Sequence, residues 1–482
     1  MILNDPSLLH EQCYIDGLWV SANSGETVAI ANPATQEIIG TVPVMGKAET
    51  EMAITAANNA LPAWRALTAK ERSQKLRRWF ELMIENADDL ALMMTTEQGK
   101  PLAEARGEVT YAASFIEWFA EEAKRIYGDT IPGHQADKRL TVIKQPVGVT
   151  AAITPWNFPA AMITRKAGPA LAAGCTMVVK PAPQTPFTAL ALAELAHRAG
   201  IPAGVFSVIT GDAIAIGNTL CESPIVRKLS FTGSTAVGIK LMEQCAPTLK
   251  KLSLELGGNA PFIVFNDADI DAAVDGAMIA KYRNAGQTCV CANRIYVQAG
   301  VYEQFTQKFA AAVAKLSVGN GVDTGVNIGP LINADAVAKV QRHLADAVAK
   351  GASVVIGGKS HNLGGFFFEP TILRDVDKSM LVAKEETFGP LAPLFKFDSV
   401  DDVIKQANDT EFGLAAYFYG RDISLVYKVA EALEYGMVGV NTGLISTEVA
   451  PFGGIKSSGL GREGSKFGID EYLEMKYICM SV

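Results

Sequence analysis

The chain has 482 residues, of which 49% are hydrophobic and 20% are charged, proportions typical of a globular enzyme. This length exceeds what one ordinary core can hold and predicts two or three domains. The net charge of −8 gives no electrostatic reason to expect nucleic acid or an anionic membrane surface as a partner. No apolar run approaches the roughly 18 residues that a membrane-spanning helix requires.

The cysteines and the first residues indicate a cytoplasmic protein. Seven cysteines are odd in number and mostly far apart, which argues against a disulfide framework and for a reducing compartment. The sequence has no C-x-x-C pair and its five histidines are isolated, so no metal site is predicted. The segment that begins with Met1 lacks the basic and apolar regions of a secretory signal.

The first part of the chain is predicted to be helical after one short hairpin. Asp16-Gly17 lies at the centre of Cys13–Val20 and is typical of a hairpin turn. Three stretches with helical spacing of apolar residues follow, at Ala48–Ala66, Ala69–Glu97 and Leu102–Tyr127. Lys138–Gln145 alternates between polar and apolar residues and predicts either a sheet edge or an arm that pairs with another subunit.

Strands and helices then alternate regularly, and the short segments that connect them contain Gly or Pro. The predicted strands are Val149–Ile153, Thr176–Lys180, Val205–Ile209, Lys228–Phe231 and Lys251–Leu256, and the helices are Ala160–Ala173, Thr185–Ala199, Ala213–Cys221 and Ser234–Cys245. This alternation predicts a doubly wound parallel sheet.

A second α/β domain is predicted in the remaining half, where the alternation is less clean. Its predicted helices are Asp267–Ala280, Val301–Leu316, Ala334–Lys350 and Val400–Ala407, and its strands are Arg294–Gln298, Ser353–Ile356 and Leu391–Phe395.

A phosphate-binding turn is one interpretation of Phe231–Gly238, although the G-x-G-x-x-G fingerprint is absent from the first βα turns. Gly233 permits a tight turn, and the N–H groups of Ser234 and the next residue would face a phosphate at the helix N-terminus. An ordinary βα turn is the alternative. Lys180 ends a predicted strand, where it either binds a ligand or is a solvated charge.

The candidate reacting groups lie at three other loops. Asn157 is flanked in sequence by two prolines and two aromatic residues, and its side chain either donates to a developing oxyanion or caps the helix that follows. Glu255 ends a strand, where a buried carboxylate is costly without a role or a partner. Cys289 follows a helix in a Gly/Thr loop whose N–H groups and nearby Arg283 are expected to lower its pKa. A buried, inert thiol is the alternative.

Assembled in this order, these segments resemble the aldehyde dehydrogenase superfamily over essentially the whole chain. The matching motifs are Pro155–Pro159, Phe231–Ser234, Leu254–Gly258, Gly286–Cys289, Glu386–Pro390 and Pro451–Gly454. Within the superfamily the chain is most similar to the succinate-semialdehyde dehydrogenases, through Arg283–Cys291 and Gly459–Gly468. The resemblance implies an α/β fold with a doubly wound cofactor domain, an α/β catalytic domain and a β-arm oligomerisation element.

The resemblance also implies a mechanism. The Cys289 thiolate attacks the aldehyde carbonyl, and the Asn157 amide with the Cys289 N–H stabilises the oxyanion. Hydride leaves to the nicotinamide, and Glu255 activates the water that releases the acid from the thioester. The residues that would bind the coenzyme are Trp156, Lys180, Pro183, Gly233, Ser234, Gly238, Glu386 and Phe388.

The resemblance implies that four positions determine which substrate and which coenzyme the enzyme prefers. Arg165, Arg283 and Ser446 match the groups that hold the far carboxylate of succinate semialdehyde, although each arginine is alternatively a structural ion-pair member. Pro183 replaces a Glu that repels a 2′-phosphate in NAD-preferring relatives, so we predict that NADP is preferred and NAD remains usable. The alternatives are glutarate semialdehyde or another small aldehyde as substrate, or a Cys/Glu amidase or nitrilase-type hydrolase.

The remaining expectations concern redox control and domain organisation. Cys291 is a candidate partner for a Cys289–Cys291 disulfide that would block the nucleophile, or else it is packing. The predicted domains are residues 1–126 with 146–256 for the dinucleotide and 257–468 for catalysis. Residues 127–145 and 469–482 would form the oligomerisation element of a homotetramer or dimer, with the tail of one subunit extending the sheet of another.

Overall fold

Two large β-sheets organise the chain, and the computed structural model describes all residues from Met1 to Val482. The first sheet has eight strands. From edge to edge they are Leu18–Val20, Cys13–Ile15, Phe206–Val208, Thr176–Lys180, Val149–Ile153, Val226–Thr232, Lys251–Glu255 and Gly459–Leu460. The central strands run parallel, and the outer pairings are antiparallel.

The central strands confirm the predicted doubly wound topology. The parallel part of the sheet begins in sequence with the central strand Val149–Ile153, and the next two strands are added on one side of it. Val226–Thr232 then pairs on its other side, and the strand after it is added beyond that one. Val149–Ile153 and Val226–Thr232 are therefore the switch point, where the connections leave in opposite directions. Parallel sheets of this kind bind ligands at the carboxyl ends of the strands beside the switch point.

The helices of this half cover both faces of the first sheet. They are Lys47–Ala66, Ala69–Glu85, Ala87–Gln98, Leu102–Glu122, Ala161–Ala173, Pro186–Arg198, Ala213–Glu222 and Thr235–Cys245. Ala161–Ala173 is buried along its whole length, since it packs between the sheet and Leu102–Glu122. The helix ends at Gly174, whose φ of 94° favours glycine and stops the helix.

The second sheet has seven strands and is parallel except at one edge. Its strands are, in spatial order, Ser353–Ile356, Thr371–Arg374, Leu391–Phe397, Ala292–Gln298, Ala260–Val264, Ala415–Tyr419 and Met437–Val440. The helices of this half are Ile270–Tyr282, Tyr302–Val313, Ala334–Ala349, Leu381–Lys384, Val400–Asn408 and Ile423–Ala432. The helix Ser465–Asp470 packs instead against Ala161–Ala173 and Leu102–Glu122 of the first half.

Small sheets complete the fold. Thr27–Ala31 pairs with Ile38–Pro43, and Phe412–Gly413 pairs with Ile455–Lys456. A three-stranded antiparallel sheet contains Leu473–Ser481, Lys138–Pro146 and Asp129–Ile131 in that order. The C-terminal tail thus pairs with the arm of its own chain. None of the helices combines the length and the apolarity that crossing a membrane would require.

Several predicted elements need correction. The single helix predicted over Ala69–Glu97 is two helices, because Asn86 leaves helical geometry and its Nδ2 donates to the Leu82 carbonyl at 2.8 Å. The helix predicted to Tyr127 ends at Glu122 and continues as a 3₁₀ turn to Arg125. Some elements were not predicted: Thr27–Ala31, Ile38–Pro43, Ala260–Val264, Thr371–Arg374, Ala415–Tyr419, Ile423–Ala432 and Met437–Val440.

Candidate active site

A cavity of about 350 Å³ opens at the carboxyl ends of the two switch-point strands. Asn157 enters it from the loop after Val149–Ile153, and Gly233 from the turn after Val226–Thr232. The second half of the chain contributes Cys289 and the segment around Glu386. Candidate residues that line this cavity are Trp156, Asn157, Gly233, Ser234, Cys289, Glu386 and Phe388.

The loop before Cys289 has an unusual backbone. Asn284 and Ala285 have φ of 52° and 55°, in the left-handed region that residues other than glycine rarely adopt. The Asn284 side chain fixes this turn, since its Nδ2 donates to the Asn157 carbonyl at 3.0 Å and to the Gln287 carbonyl at 3.2 Å. This turn holds Cys289 against the neighbouring strand end.

Gly258 permits the strand end after Glu255 to lie close to the backbone of Cys289. A Cβ atom at this position would lie 2.4 Å from the carbonyl oxygen of Cys289, closer than real contacts allow. The backbone of the Glu255–Gly258 segment can therefore pack directly on the cysteine loop. The glycine at position 258 thus allows the segment after Glu255 to contact the cysteine loop, a contact that the sequence alone did not reveal.

The Asn157 side chain lies beside the cysteine loop. It is 4% exposed, and its Nδ2 donates to the Gln287 carbonyl at 3.1 Å. The helix that follows begins at Ala161 and has no side-chain cap from Asn157, so the helix-cap alternative is wrong. The N-terminal N–H groups of that helix are instead bound by Glu108, whose Oε1 accepts from Ala160 N at 3.0 Å.

The Glu255 carboxyl is 3% exposed at the end of its strand, and its Oε2 has no hydrogen-bond partner. Burial raises the pKa of Glu255 well above its usual value, and the neighbouring Glu463 raises it further. Arg165 and Lys166 oppose that rise, because both cations lie close to the pair of carboxyls. A carboxyl with such a raised pKa is suited to accept a proton near neutral pH.

The expectation of a lowered Cys289 pKa is wrong for the protein alone. Burial is the main cause that raises the pKa of this thiol to about 12, and Glu386 and Glu255 act in the same direction. Arg165 and Arg283 lower it, but the loss of solvation outweighs both cations. The thiol is therefore neutral, and it needs a base when it reacts.

An aromatic pair and a carboxyl form one wall of the cavity. The rings of Trp156 and Phe388 meet edge to face, with centroids 5.6 Å apart. Phe388 has a φ of 56°, a strained conformation for a bulky residue. Burial raises the pKa of Glu386 to about 7, and its Oε1 accepts from Gly258 N at 3.2 Å.

Gly233 and Ser234 begin the helix Thr235–Cys245. A Cβ at Gly233 would lie 2.4 Å from the ring of Phe231, so the turn requires glycine. Gly238 lies one turn into the helix and packs against Leu256. The first N–H groups of this helix have no intrahelical acceptor and face the cavity, as an anion-binding helix end would.

Lys180 and Pro183 lie beyond this cavity. Lys180 is 4% exposed and donates only to the Pro181 carbonyl at 3.1 Å, so the solvated-charge alternative is wrong. Burial lowers the pKa of Lys180 to about 8. Pro183 lines an adjoining cavity of about 460 Å³, which shares Ile332 and Asn333 with the first.

A third cavity of about 260 Å³ contains Arg283 and Ser446. The Arg283 guanidinium lies over the ring of Phe158 at 4.9 Å and makes no ion pair or hydrogen bond with the protein. It is a half-buried cation without a partner, in a cavity that the Ser446 hydroxyl also lines. Such an arrangement suits an anion that enters from outside.

Arg165 is placed differently. It is 1% exposed, its Nη2 lies 2.8 Å from Glu463 Oε2, and its guanidinium stacks on Phe452 at 3.8 Å. It lines neither the Cys289 cavity nor the Arg283 cavity. Lys166 pairs with the same carboxyl and donates to Thr232 Oγ1 at 2.6 Å. The structure therefore joins Arg283 with Ser446 and sets Arg165 in a buried ion-pair network.

Cys291 lies behind the cavity wall and is 1% exposed. Its Sγ lies 3.4 Å from Lys281 Nζ, and burial raises the pKa of the thiol. Cys289 and Cys291 are both free thiols in this structure. The regulatory disulfide between them stays a prediction.

Several residues around these cavities were missed from the sequence. Lys100, Glu108 and Tyr111 lie on or beside the helix Leu102–Glu122 and line the Arg283 cavity. Neither their types nor their spacing match a site motif, and Glu108 and Tyr111 fit an ordinary helix surface. Burial identifies Lys100 and Glu108, because a charged pair sealed inside a protein is costly without specific partners, whereas Tyr111 is identified only by the cavity that it lines.

Comparison with known proteins agrees with this geometry. The aldehyde dehydrogenase family model matches residues 19–478. The chain is 73% identical over 482 residues to the glutarate-semialdehyde dehydrogenase of Pseudomonas putida (strain KT2440), covering 100% of both chains. It is 70% identical over 482 residues to the NADP(+) succinate-semialdehyde dehydrogenase GabD of Escherichia coli (strain K12), again covering 100% of both.

The solved structures show the same likeness. The crystal structure of succinate-semialdehyde dehydrogenase from Burkholderia pseudomallei has a TM-score of 0.99 and 66% identity, covering 100% of both chains. The chain belongs to the aldehyde dehydrogenase family, and it is an enzyme that oxidises aldehydes. Its close relatives are succinate- and glutarate-semialdehyde dehydrogenases. Membership of this family removes the hydrolase alternative.

Proposed function

We propose that the enzyme oxidises succinate semialdehyde to succinate with a nicotinamide coenzyme, preferring NADP and still using NAD. The observation that carries the substrate class is the unpaired Arg283 guanidinium, which shares a cavity with Ser446. A planar guanidinium meets a carboxylate with two parallel hydrogen bonds, so it favours an aldehyde with an acid group at its far end.

The reaction would begin at Cys289. Its sulfur attacks the aldehyde carbon while its proton passes to a base, for which Glu255 is suited by its raised pKa. The oxyanion accepts hydrogen bonds from Asn157 Nδ2 and the Cys289 N–H, each able to stabilise it by about 3 kcal/mol. Asn157 must then exchange its present bond to the Gln287 carbonyl for the substrate.

The second half of the reaction would release the acid. A bound nicotinamide would supply the hydride acceptor, and loss of hydride from the former aldehyde carbon would leave a thioester on Cys289. Glu255 first passes the proton that it took from Cys289 to solvent, and it then removes a proton from water as the water oxygen attacks this thioester. The carbon–sulfur bond then breaks, the acid leaves, and Cys289 regains a proton.

The residues present fit the coenzyme. Trp156, Phe388 and the Glu386 carboxyl would hold the nicotinamide ribose end, because they line the cavity that contains Cys289. The helix end at Ser234 would bind the pyrophosphate. Lys180, a buried cation without a carboxylate partner, suits the phosphate-bearing adenosine end.

Pro183→Glu tests the coenzyme preference. A carboxylate beside Lys180 would repel a 2′-phosphate, so the ratio of kcat/KM for NADP to that for NAD is expected to fall about tenfold. Pro183→Gln is the matched control, because it adds the same bulk without charge and should leave the ratio within about twofold. Equal losses with both coenzymes would contradict the proposal.

Arg283→Met tests the substrate class. Loss of a charge-assisted bidentate contact, worth about 3 kcal/mol, should lower kcat/KM for succinate semialdehyde about 100-fold relative to butanal. Ser446→Ala should lower the same ratio about tenfold, since it removes one hydroxyl donor. Parallel losses for the charged and the uncharged aldehyde would show that Arg283 is structural.

Glutarate semialdehyde is the second candidate substrate, because the 73% identical relative is named for it. It carries the same carboxylate one methylene further from the aldehyde, a difference that sites discriminate by about 1–3 kcal/mol. The ratio of kcat/KM for the two semialdehydes on the purified enzyme identifies the preferred one.

We also propose that the enzyme is a homo-oligomer, a tetramer or a dimer. Leu473–Ser481 is an edge strand whose outer edge has no partner, and its Met475 and Tyr477 are 76% and 57% exposed. Edges of this kind pair readily with another chain. The molar mass of the intact protein in solution, from light scattering, tests this proposal.

A further inference from the structure

Tyr111 reaches from the helix Leu102–Glu122 into the cavity that contains Arg283 and Ser446. Its ring is partly exposed, and its hydroxyl oxygen is buried next to the Ser446 hydroxyl but makes no hydrogen bond of normal geometry, even with that neighbour. Buried hydroxyl groups are nearly always satisfied, so an unpartnered one requires an explanation. A ligand that occupies the cavity would provide the missing acceptor.

Packing fixes the direction of this hydroxyl. The Tyr111 ring meets the ring of Phe115 edge to face, with centroids 5.0 Å apart, and the Arg165 guanidinium lies 5.5 Å from the same phenylalanine. A donor held in this way loses little freedom when it binds, which is the arrangement expected of a specificity group. Burial raises the pKa of Tyr111 above its usual value, so the phenol is neutral and able to donate.

The charges of the cavity leave one cation free. Lys100 is paired with Glu108, and Glu104 Oε2 accepts from Asn284 N at 2.8 Å. Arg283 has no carboxylate within ion-pair distance, and the Ser446 hydroxyl lies beside that of Tyr111. The cavity therefore offers a guanidinium and two hydroxyl groups, while its own carboxylates, Glu104 and Glu108, are bound to Asn284 N and Lys100. These donors match the several lone pairs of one carboxylate.

We propose that the Tyr111 hydroxyl donates a hydrogen bond to the far carboxylate of the substrate, beside Arg283 and Ser446. Tyr111 is thus a residue that determines specificity for aldehydes with an acid group. The inference rests on the proposed substrate class. It adds a neutral hydrogen-bond donor to the residues that would bind the carboxylate, on a helix that is far from the cysteine loop in sequence.

Tyr111→Phe tests this inference, because it removes only the hydroxyl and keeps the ring packing. The ratio of kcat/KM for succinate semialdehyde to that for butanal is expected to fall about 10- to 100-fold, the range for a hydrogen bond to a charged group. The loss should appear mainly in KM, since the carboxylate is held alike in the ground state and the transition state. Tyr127→Phe, at a residue 72% exposed, is the matched control and should leave the ratio unchanged.

The outcomes separate this inference from the proposed function. A Tyr111→Phe enzyme with an unchanged ratio, beside an Arg283→Met enzyme with a strongly lowered one, overturns the role of Tyr111 and leaves the substrate class intact. Unchanged ratios in both variants overturn the substrate class as well. A lowered ratio in both, with the thermal unfolding temperature of Tyr111→Phe close to that of the parent, supports the donor.

Discussion

Cys289→Ala is expected to abolish aldehyde oxidation, with kcat at least about 10⁴-fold below that of the parent enzyme. In the proposed mechanism the Cys289 sulfur stays bonded to the substrate carbon from the attack on the aldehyde until the acid is released. Without this sulfur no covalent intermediate forms, and no other side chain supplies a nucleophile at that place. Serine is not a sufficient substitute, because a buried hydroxyl is a weaker nucleophile than a thiol with a base nearby. The measurement is the steady-state rate of coenzyme reduction with succinate semialdehyde.

The matched control for this variant is Cys479→Ala, at the exposed cysteine of the C-terminal strand. It should retain the full rate, which excludes a general sensitivity to loss of a thiol. Coenzyme binding to Cys289→Ala, followed by fluorescence titration, should also persist, because the coenzyme residues lie on other segments. A Cys289→Ala enzyme that oxidises the aldehyde at the parent rate would end the proposed mechanism.

Lys100→Met is expected to lower both stability and kcat. Lys100 and Glu108 form an ion pair whose side chains are each 1% exposed, and Lys100 Nζ donates to the Asn157 carbonyl at 2.7 Å. Removal of the lysine leaves an unpaired buried carboxylate, which costs about 3–5 kcal/mol. Asn157 also loses one of the contacts that hold it, so we expect kcat to fall about 10- to 100-fold. Urea unfolding and steady-state kinetics measure the two effects.

Two further variants distinguish positioning from simple destabilisation. Lys100→Met combined with Glu108→Gln removes both charges and keeps an oxygen that accepts from Ala160 N, so it should recover most of the lost stability while kcat stays low. In an Asn157→Ala background, Lys100→Met should cause little additional loss of kcat, because the amide that it positions is already absent. Independent, multiplicative losses of kcat in the two variants would show that Lys100 does not act through Asn157.

The predicted catalytic residues could be found from the sequence because each lies in a short motif at the end of a strand or in the loop that follows a helix. Glu255 ends its strand as predicted, and Asn157 and Cys289 occupy loops at the same cavity. Strand ends of a parallel sheet meet at one edge, so local patterns near Gly and Pro carried enough information to place them. Their roles in the reaction stay predictions until the variants are measured.

Properties that depend on solvation were not accessible in this way. A loop rich in Gly and Thr suggested a lowered pKa for Cys289, whereas burial raises it to about 12. The direction of a pKa shift depends on how much water the assembled cavity excludes, and that quantity is a property of all the segments that meet there.

The sequence by itself determined the alternation of strands and helices in the first large sheet, the family, and the positions of Asn157, Glu255 and Cys289. Only the tertiary structure decided that Arg283 stays unpaired while Arg165 pairs with Glu463, and that Lys100 and Tyr111 line the cavity that contains Arg283. The physical reason is that motifs record contacts between near neighbours in the chain. Ion pairing and burial arise between segments far apart in sequence, and they exist only after those segments have packed together.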